Sequence, residues 1–319
     1  MPAPLTMAFV MDPLGSIDIE KDTTFLFMWE AQQRGHRVLF VDPADLGVAD
    51  RRAAARARPV TLRREVSDAF DLGPVEPLIL DDEVDVAWQR KDPPVDAAYV
   101  SATQILGLCR RTVVLNRPQG ILAHNEKLYA LEFPDWMAET TVTRRIPELV
   151  DFMAKVGGDM IVKPLDGKGG EGIFHVTADD RNLYSILETA TAFGTRRTMA
   201  QRYLPAVREG DKRILLLEGE PLGALLRIPA EGETRSNLHV GGRPTGGVLD
   251  ADDRAIVAAI APSLRAEGLF FVGIDVIGGK LTEINVTSPT GMQEVNALDG
   301  VRLEEAVLDA AERRVAERS

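Results

Sequence analysis

The stretch Ile161–Val176, IVKPLDGKGGEGIFHV, constrains the fold more than any other part of the chain. Gly167, Gly169, Gly170 and Gly172 crowd a short turn between an apolar entry and a β-branched, aromatic exit. Gly167, Gly169 and Gly172 spell G-x-G-x-x-G, and Gly167 and Gly172 also have the spacing of the two P-loop glycines. Context excludes both templates. A P-loop continues into Lys-Ser/Thr, whereas Ile173 and Phe174 follow here. A dinucleotide-binding turn opens a helix, whereas GIFHV favours a strand. What is left is strand, glycine turn, strand, with backbone N–H groups free to close over phosphates as a flap.

The 319 residues are 45% hydrophobic and 27% charged, enough for two or three packed domains. No apolar run approaches a membrane span, and the N-terminal MPAPLTMAFVMDP lacks the basic segment of a signal peptide. Cys109, the single cysteine, excludes an internal disulfide framework and fits a reducing cytoplasm. It sits among Leu106 and Leu108, as a small buried apolar side chain would. The net charge of −12 argues against nucleic acid and anionic membranes as partners, so any anionic ligand needs a local cluster of cations. His36, His124, His175 and His239 show no metal-ligand spacing.

Periodicity predicts a first strand at Met7–Asp12, a helix over 24–34 capped by Asp22 and stopped at Gly35, and a second strand at His36–Asp42. This βαβ unit requires a parallel sheet. Residues 47–77 read as one or two solvated edge strands. Val84–Arg90 is a third strand, 96–111 a helix and Thr112–Asn116 a fourth strand. After residue 120 the texture changes. A helix over Ile121–Phe133 would carry Lys127, and a second helix is expected at Ile146–Gly157. The glycine stretch follows, then a helix over 181–194 and a strand at Thr198–Pro205. Residues 211–229 form a hairpin, 253–268 a helix and 270–289 a second hairpin. The expected units are 1–122, 123–204 and 205–319.

The second hairpin carries three oxygen donors, Asp275, Glu283 and Asn285, among Phe, Val, Ile and Leu. Glu283 and Asn285 share one face. A two-residue turn at Gly278-Gly279 would pair Asp275 with Thr282, whereas a three-residue turn that includes Lys280 would pair it with Glu283. Adjacent carboxylates repel unless a cation separates them. Mg²⁺ suits two carboxylates and an amide oxygen, and pairing with lysine or arginine is the competing reading. Lys163, at a strand end before a proline, could meet phosphates near this platform, with Lys127, Asp211, Lys212 and Arg213 adding charge between them.

The order Lys127, IVKPLDGKGGEGIF, AQRYLP, GDKRIL, RIPAEGETRSNLHVGGR and GIDVIGGKLTEINVTSP resembles the ATP-grasp superfamily and, within it, the bacterial glutathione synthetase family. VMDP, IDIEKDTTF, RKDPP and NEKL extend the resemblance over nearly the whole chain. It implies an N-terminal α/β domain, a central lid and a C-terminal catalytic domain, an α/β and α+β architecture with ATP between two antiparallel sheets. Lys127 and Lys163 would then contact the nucleotide phosphates, under a loop that contains Gly167, Gly169 and Gly170. Gln201, Tyr203 and Leu204 would lie along the adenine, Asp211 in the nucleotide wall and Arg213 at the reacting centre. Asp275, Glu283 and Asn285 would bind Mg²⁺, with Mn²⁺ as a possible substitute. Arg90 and Arg235 would meet the acyl substrate's carboxylates, with Arg227, Asn237 and Ser288 nearby.

The activity implied is an ATP-dependent ligase that joins γ-glutamylcysteine to glycine through an acyl phosphate, in a cytoplasmic homo-oligomer, dimer or tetramer. Two other readings stay open: another carboxylate–amine ligase of the superfamily (glutamate-adding or dipeptide-forming), and a regulatory nucleotide-binding module without turnover. Two departures from the family pattern are the charges of Lys168 and Glu171 in the flap and the weakly patterned segment GMQEVNALDG. Arg227–Arg243, rich in glycine and charge, is expected to act as a lid that keeps water from the intermediate, and His239 lies within it.

Overall fold

A computed structural model of the chain describes residues 3–167, 169–230, 235–236 and 241–318. Its first sheet contains β1 (Thr6–Val10), β2 (Arg37–Val41), β3 (Leu46–Ala49), β4 (Arg52–Leu62), β5 (Phe70–Leu72), β6 (Glu76–Ile79), β7 (Val86–Gln89) and β8 (Val113–Leu115). The order β2-β1-β7-β8 is parallel throughout, as the βαβ pattern requires. Helices α1 (Thr23–Gln33), α2 (Leu80–Glu83) and α3 (Ala97–Leu106) connect its strands. Asp22 caps α1 by accepting from the Phe25 amide at 2.6 Å. Gly35, at φ +80°, lets the chain turn into β2.

Residues 47–77 differ from expectation. They form no simple edge, because β4 pairs with β2, β3, β5 and β6. Its burial pattern explains this: Ala53, Ala55 and Ala57 are buried in one core, and Val60 and Leu62, out of phase with them, in another. The intervening Arg52, Arg56 and Arg58 face outward or stand half-buried. Arg52 pairs with Asp82, and Arg63 with Asp68 and Asp71.

The second sheet has the order β11-β10-β12-β9, from β9 (Thr140–Thr143), β10 (Asp159–Pro164), β11 (Phe174–Thr177) and β12 (Thr198–Arg202). All three pairings are antiparallel, so the glycine stretch is indeed a strand–turn–strand. Helices α5 (Ile146–Lys155) and α6 (Leu183–Ala190) cover this sheet, Leu149, Phe152 and Leu187 packing on Met160, Val162 and Val176. The expected helix over 121–133 is broken. Helix α4 (Pro118–Ala123) ends before Asn125, whose side-chain oxygen accepts from the amides of Lys127 and Leu128 at 3.1 Å each. That local bond competes with the helical one, so Lys127 stands in a turn.

The third sheet has the order β15-β14-β13-β16-β17 and is antiparallel throughout. Its strands are β13 (Asp211–Leu217), β14 (Glu220–Ile228), β15 (Arg243–Gly246), β16 (Phe271–Ile277) and β17 (Lys280–Asn285). Helix α7 (Ala251–Ala266) packs Ile256, Ile260 and Leu264 on it. Helices α8 (Met292–Asp299) and α9 (Leu303–Arg318) turn back to the first sheet. Met292, Val307 and Leu308 share one core with Phe9, Phe27 and Trp88. We propose unit boundaries after residues 122 and 204, which leave each sheet whole. The last unit then contributes α9 to the core of the first.

Asn116, at the end of β8, ties two sheets together. Its amide nitrogen donates to the carbonyls of Phe271 at 3.0 Å and Val286 at 2.8 Å, and its oxygen accepts from the Phe271 amide at 2.7 Å. Asn116→Ala strands three buried backbone groups and should destabilise the protein by about 2–4 kcal/mol. A thermal unfolding midpoint unchanged from wild type would show the tie to be dispensable.

Candidate functional site

Strand register builds a row of charge across one face of the third sheet. Arg227 on β14 stands opposite Asp211 on β13, Arg213 opposite Asp275 on β16, and Asp275 opposite Glu283 on β17. Arg213 grips Asp275 with two bonds, Nε to Oδ1 at 2.5 Å and Nη2 to Oδ2 at 2.9 Å. Arg227 Nη2 bridges Asp211 Oδ2 at 2.5 Å and Asp275 Oδ1 at 3.0 Å. Ser236 also donates to Asp211 Oδ2, at 3.0 Å. Burial pushes the Asp275 carboxyl up, but Arg213 and Arg227 outweigh it and hold Asp275 well below the usual carboxylate range. For Asp211 burial wins, and its carboxyl is raised.

The Asp275–Glu283 pairing is present, but not through the turn length invoked for it. Gly278 and Gly279, at φ +54° and +72°, make a two-residue turn that pairs Ile277 with Lys280. A bulge then leaves Thr282 without a ladder partner and restores Asp275 to Glu283. The bulge has a further use. Thr282 donates its hydroxyl to the Asp275 carbonyl at 3.1 Å, and its own carbonyl accepts from Lys163 Nζ at 3.3 Å.

Lys127 closes the row. Its Nζ donates to Glu283 Oε1 at 3.0 Å and to the Gly167 carbonyl at 2.8 Å, linking the glycine loop to the carboxylates. Burial opposes its charge, but Glu283 and its neighbours raise its pKa overall. Lys163 differs: burial lowers it to about 8, against the pull of Glu283. Gly167 could not be alanine without movement, since a Cβ would come within 2.8 Å of Pro164.

A cleft of about 730 Å³ opens over this row. Lys127, Gly167, Gly169, Gly170, Glu283 and Asn285 line one end. Asp12, Asp22, Arg90, Ser288 and Glu294 line the other, with Arg213 and Arg227 also on its wall. Ser288 donates to Asp92 Oδ1 at 2.5 Å. Lys163, Asp211 and Asp275 stand one layer behind the wall, buried. Gln201, Tyr203 and Leu204 lie on or just past β12, outside the cleft lining. Gln201 donates to Thr140 at 3.0 Å, and Tyr203 stacks on His175 with ring centroids 4.0 Å apart. Arg235 reaches the Gly170 carbonyl at 3.3 Å. Asn237, His239, Lys168 and eight of the seventeen residues of the expected lid lie outside the described residues.

Both readings of the carboxylates leave a mark. Arginine and lysine occupy Asp275 and one oxygen of Glu283. Among the described residues, the other Glu283 oxygen and the Asn285 side-chain carbonyl accept no hydrogen bond, and both residues line the cleft. Two hard oxygen donors, with Asp275 beside them, fit a divalent cation. Glu126 escaped the sequence reading. Its Oε1 accepts from the amides of Val286 and Thr287 and from the Thr287 hydroxyl, at 2.8–3.0 Å. It thereby fixes the strand exit that carries Ser288. Its place in NEKL, next to Lys127, was the available signal.

The family model for the N-terminal domain of prokaryotic glutathione synthetase matches residues 5–121, and that for the ATP-grasp domain of the same enzyme matches 126–300. A glutathione synthetase of Gloeobacter violaceus is 48% identical over 312 residues, covering 96% of each chain. One from Salmonella typhimurium is 43% identical, covering 98% of this chain and 99% of its own. Among solved structures, the D-cycloserine synthetase DcsG superposes with a TM-score of 0.68 at 16% identity, covering 97% of this chain and 99% of its own. A RimK domain ATP-grasp protein from Sphaerobacter thermophilus gives 0.63 at 16%, with 95% and 98% covered. These two share the fold.

The buried amine of Lys163 yields a measurable consequence. At pH 8 about half of it is neutral in the free protein, given a pKa of about 8. An anion beside it favours the charged form. Inorganic triphosphate should therefore bind with proton uptake at pH 8, and the uptake should fade below about pH 6.5, where the amine is already charged. Calorimetry in two buffers of different ionisation heat measures it, with Lys163→Met as the control. Equal apparent heats in both buffers would exclude the assignment.

Proposed function

The chain belongs to the prokaryotic glutathione synthetase family, and on that premise we propose that it is an ATP-dependent ligase joining γ-glutamylcysteine to glycine. The observation that carries the chemistry is the row Arg227–Asp211–Arg213–Asp275–Glu283, with Lys127 linking it to the glycine loop. Fixed cations of this kind stabilise charge moving in phosphoryl transfer.

The cysteinyl carboxylate of the substrate attacks the γ-phosphorus of ATP. A carboxyl–phosphorus bond forms, the bond to the β-phosphate oxygen breaks, and ADP leaves. The glycine amine then adds to the acyl carbon, the bond from that carbon to the phosphate oxygen breaks, and phosphate leaves with the amine's proton, giving glutathione. No protein nucleophile is required. Cys109 supports that reading: burial pushes its thiol up to about 12, far from a reactive thiolate.

Lys127 and Lys163 meet the phosphates in this scheme, with Gly167, Gly169 and Gly170 as their cover. Gln201, Tyr203 and Leu204 border the adenine. Asp211 acts through Arg227, which it orients, and Arg213 faces the carboxylate as it is phosphorylated. Arg90 and Ser288 serve the acyl substrate, and Arg235 and Asn237 the closing segment. Glu283 and Asn285 would hold the divalent ion through their unpaired oxygens, and Asp275, which Arg213 and Arg227 grip in this structure, would join them by giving up one of those bonds; the oxygen chemistry suits Mg²⁺, with Mn²⁺ as a substitute. When bound, that ion neutralises phosphate charge and polarises the transferred group. No helix of the described residues is long and apolar enough to cross a membrane. We place the protein in the cytoplasm, where ATP is at hand and its single cysteine stays reduced, as an even-numbered homo-oligomer in line with the family resemblance.

Phosphate release with ATP, γ-glutamylcysteine and glycine tests the reading. With ¹⁸O in the substrate carboxylate, one label should appear in inorganic phosphate. Unlabelled phosphate would eliminate the acyl phosphate. Glu283→Gln should keep the fold and lower kcat by about 100-fold or more, since the ion supplies several kcal/mol of charge stabilisation. Near-normal turnover of that variant at ordinary Mg²⁺ would remove Glu283 from the metal site.

A further inference from the structure

At the end of the cleft away from the glycine loop, one cation and one carboxylate have no direct ion pair among the described residues. Arg90 is only 5% exposed. Its Nε donates to Thr24 at 3.0 Å and its Nη2 to the Pro289 carbonyl at 3.0 Å. Its guanidinium lies 5.5 Å and 5.7 Å from the ring centres of Phe27 and Phe271. Among the described residues no carboxylate comes within ion-pair distance of it, and Nη1 has no hydrogen-bond partner. Asp22 and Asp92 stand near enough to favour its charge, but neither pairs with it, and a buried guanidinium without a direct ion pair is costly. Arg90 lines the cleft, so a ligand carboxylate can supply that pair.

Most carboxylates at this end are already engaged. Asp12 accepts from Lys91 at 2.8 Å and from the Asp92 amide at 2.9 Å. Asp18 holds Lys21 at 3.0 Å. Asp22 caps α1, and Asp92 accepts from Ser288. Glu294 differs, because its Oε2 is buried without any hydrogen-bond partner. Burial raises its carboxyl, with its own backbone amide, Lys21 and Arg213 only partly offsetting the effect.

The backbone fixes these two groups relative to each other. Gly291, at φ +110°, starts α8. Gln293 donates to the carbonyls of Ile19 and Asp22 at 2.7 Å and 2.8 Å, which clamps the first turn of α8 to the loop before α1. The same short segment begins at Pro289, which Arg90 holds. Cation and carboxylate are thus built into one wall, and both are offered to the cleft.

A group that satisfies both carries a carboxylate and an ammonium on one carbon. Resting on the ligase reading above, we propose that Glu294 receives the α-ammonium of γ-glutamylcysteine while Arg90 takes the α-carboxylate of that same glutamyl residue. The pair reads the free amino-acid end and leaves the cysteinyl carboxylate to point toward Arg213 and the phosphates. Glu294 is then the residue that demands a γ-linked glutamate, since an α-linked one has no carboxylate beside its ammonium.

The test compares γ-glutamylcysteine with N-glutarylcysteine, which keeps the carboxylate and lacks the amine. A charge-assisted hydrogen bond lost from a buried site implies a fall of about 10- to 100-fold in kcat/KM. Wild type should show that fall on the glutaryl substrate. Glu294→Gln should show it on γ-glutamylcysteine but stay within about two-fold of wild type on the glutaryl substrate. Glu294→Asp, with the charge kept and the reach shortened, should retain part of the discrimination and serves where the glutamine variant folds poorly. Equal losses on both substrates, or discrimination intact in Glu294→Gln, would overturn the assignment alone. A wild type that releases no phosphate with γ-glutamylcysteine, ATP and glycine would overturn the ligase reading and the assignment with it.

Discussion

A carboxylate buried between two guanidinium groups is the constraint on which the site depends. Asp275 could not stay ionised in the interior alone, since desolvation of an unpaired carboxylate costs several kcal/mol. Arg213 and Arg227 hold it from two different strands, and Asp211 in turn holds Arg227. A slip of one residue in β13 or β16 would send one partner to the opposite face and leave the others buried and unpaired. The ion network therefore specifies the register of the sheet as much as it supplies charge. It also explains the Thr282 bulge. A two-residue glycine turn alone would set Glu283 out of line, and the inserted residue restores it.

Much of this was legible from residues alone, and the failures are local. The glycine stretch declared a strand–turn–strand because the residues after Gly172 are poor helix openers. The Asp275–Glu283 pairing was reachable by weighing turn lengths, yet the turn has two residues and the bulge does the rest. A bulge depends on contacts made by Thr282 with Asp275 and Lys163, which lie apart in sequence. The helix over 121–133 failed because Asn125 offers the backbone a nearer partner, a signal that periodicity overrides. Strand β9, four residues between two loops, carried too little pattern. β4 reads as a solvated edge because arginines alternate along it, while its alanines do the packing. Glu126 was passed over beside Lys127, and Glu294 fell in a segment whose pattern showed only as α8.

The chain also shows how an acidic protein of net charge −12 can present cations to an anionic ligand. Acidic residues here serve mainly as holders. Glu283 orients Lys127, Asp275 orients Arg213, and Asp211 orients Arg227. Each lysine or arginine gives up mobility to a carboxylate behind or beside it, so little reorganisation would be left to do on binding an anion. At the other end, where the proposal puts the acyl substrate, the arrangement is reversed. Arg90 is fixed by a hydroxyl and a carbonyl, both neutral, and has no direct ion pair among the described residues. The two ends of one cleft thus solve different problems. On the proposed reading, the end at the glycine loop holds cations that must not move while charge shifts, and the end at Arg90 holds a cation that Asp22 and Asp92 support from nearby without pairing with it.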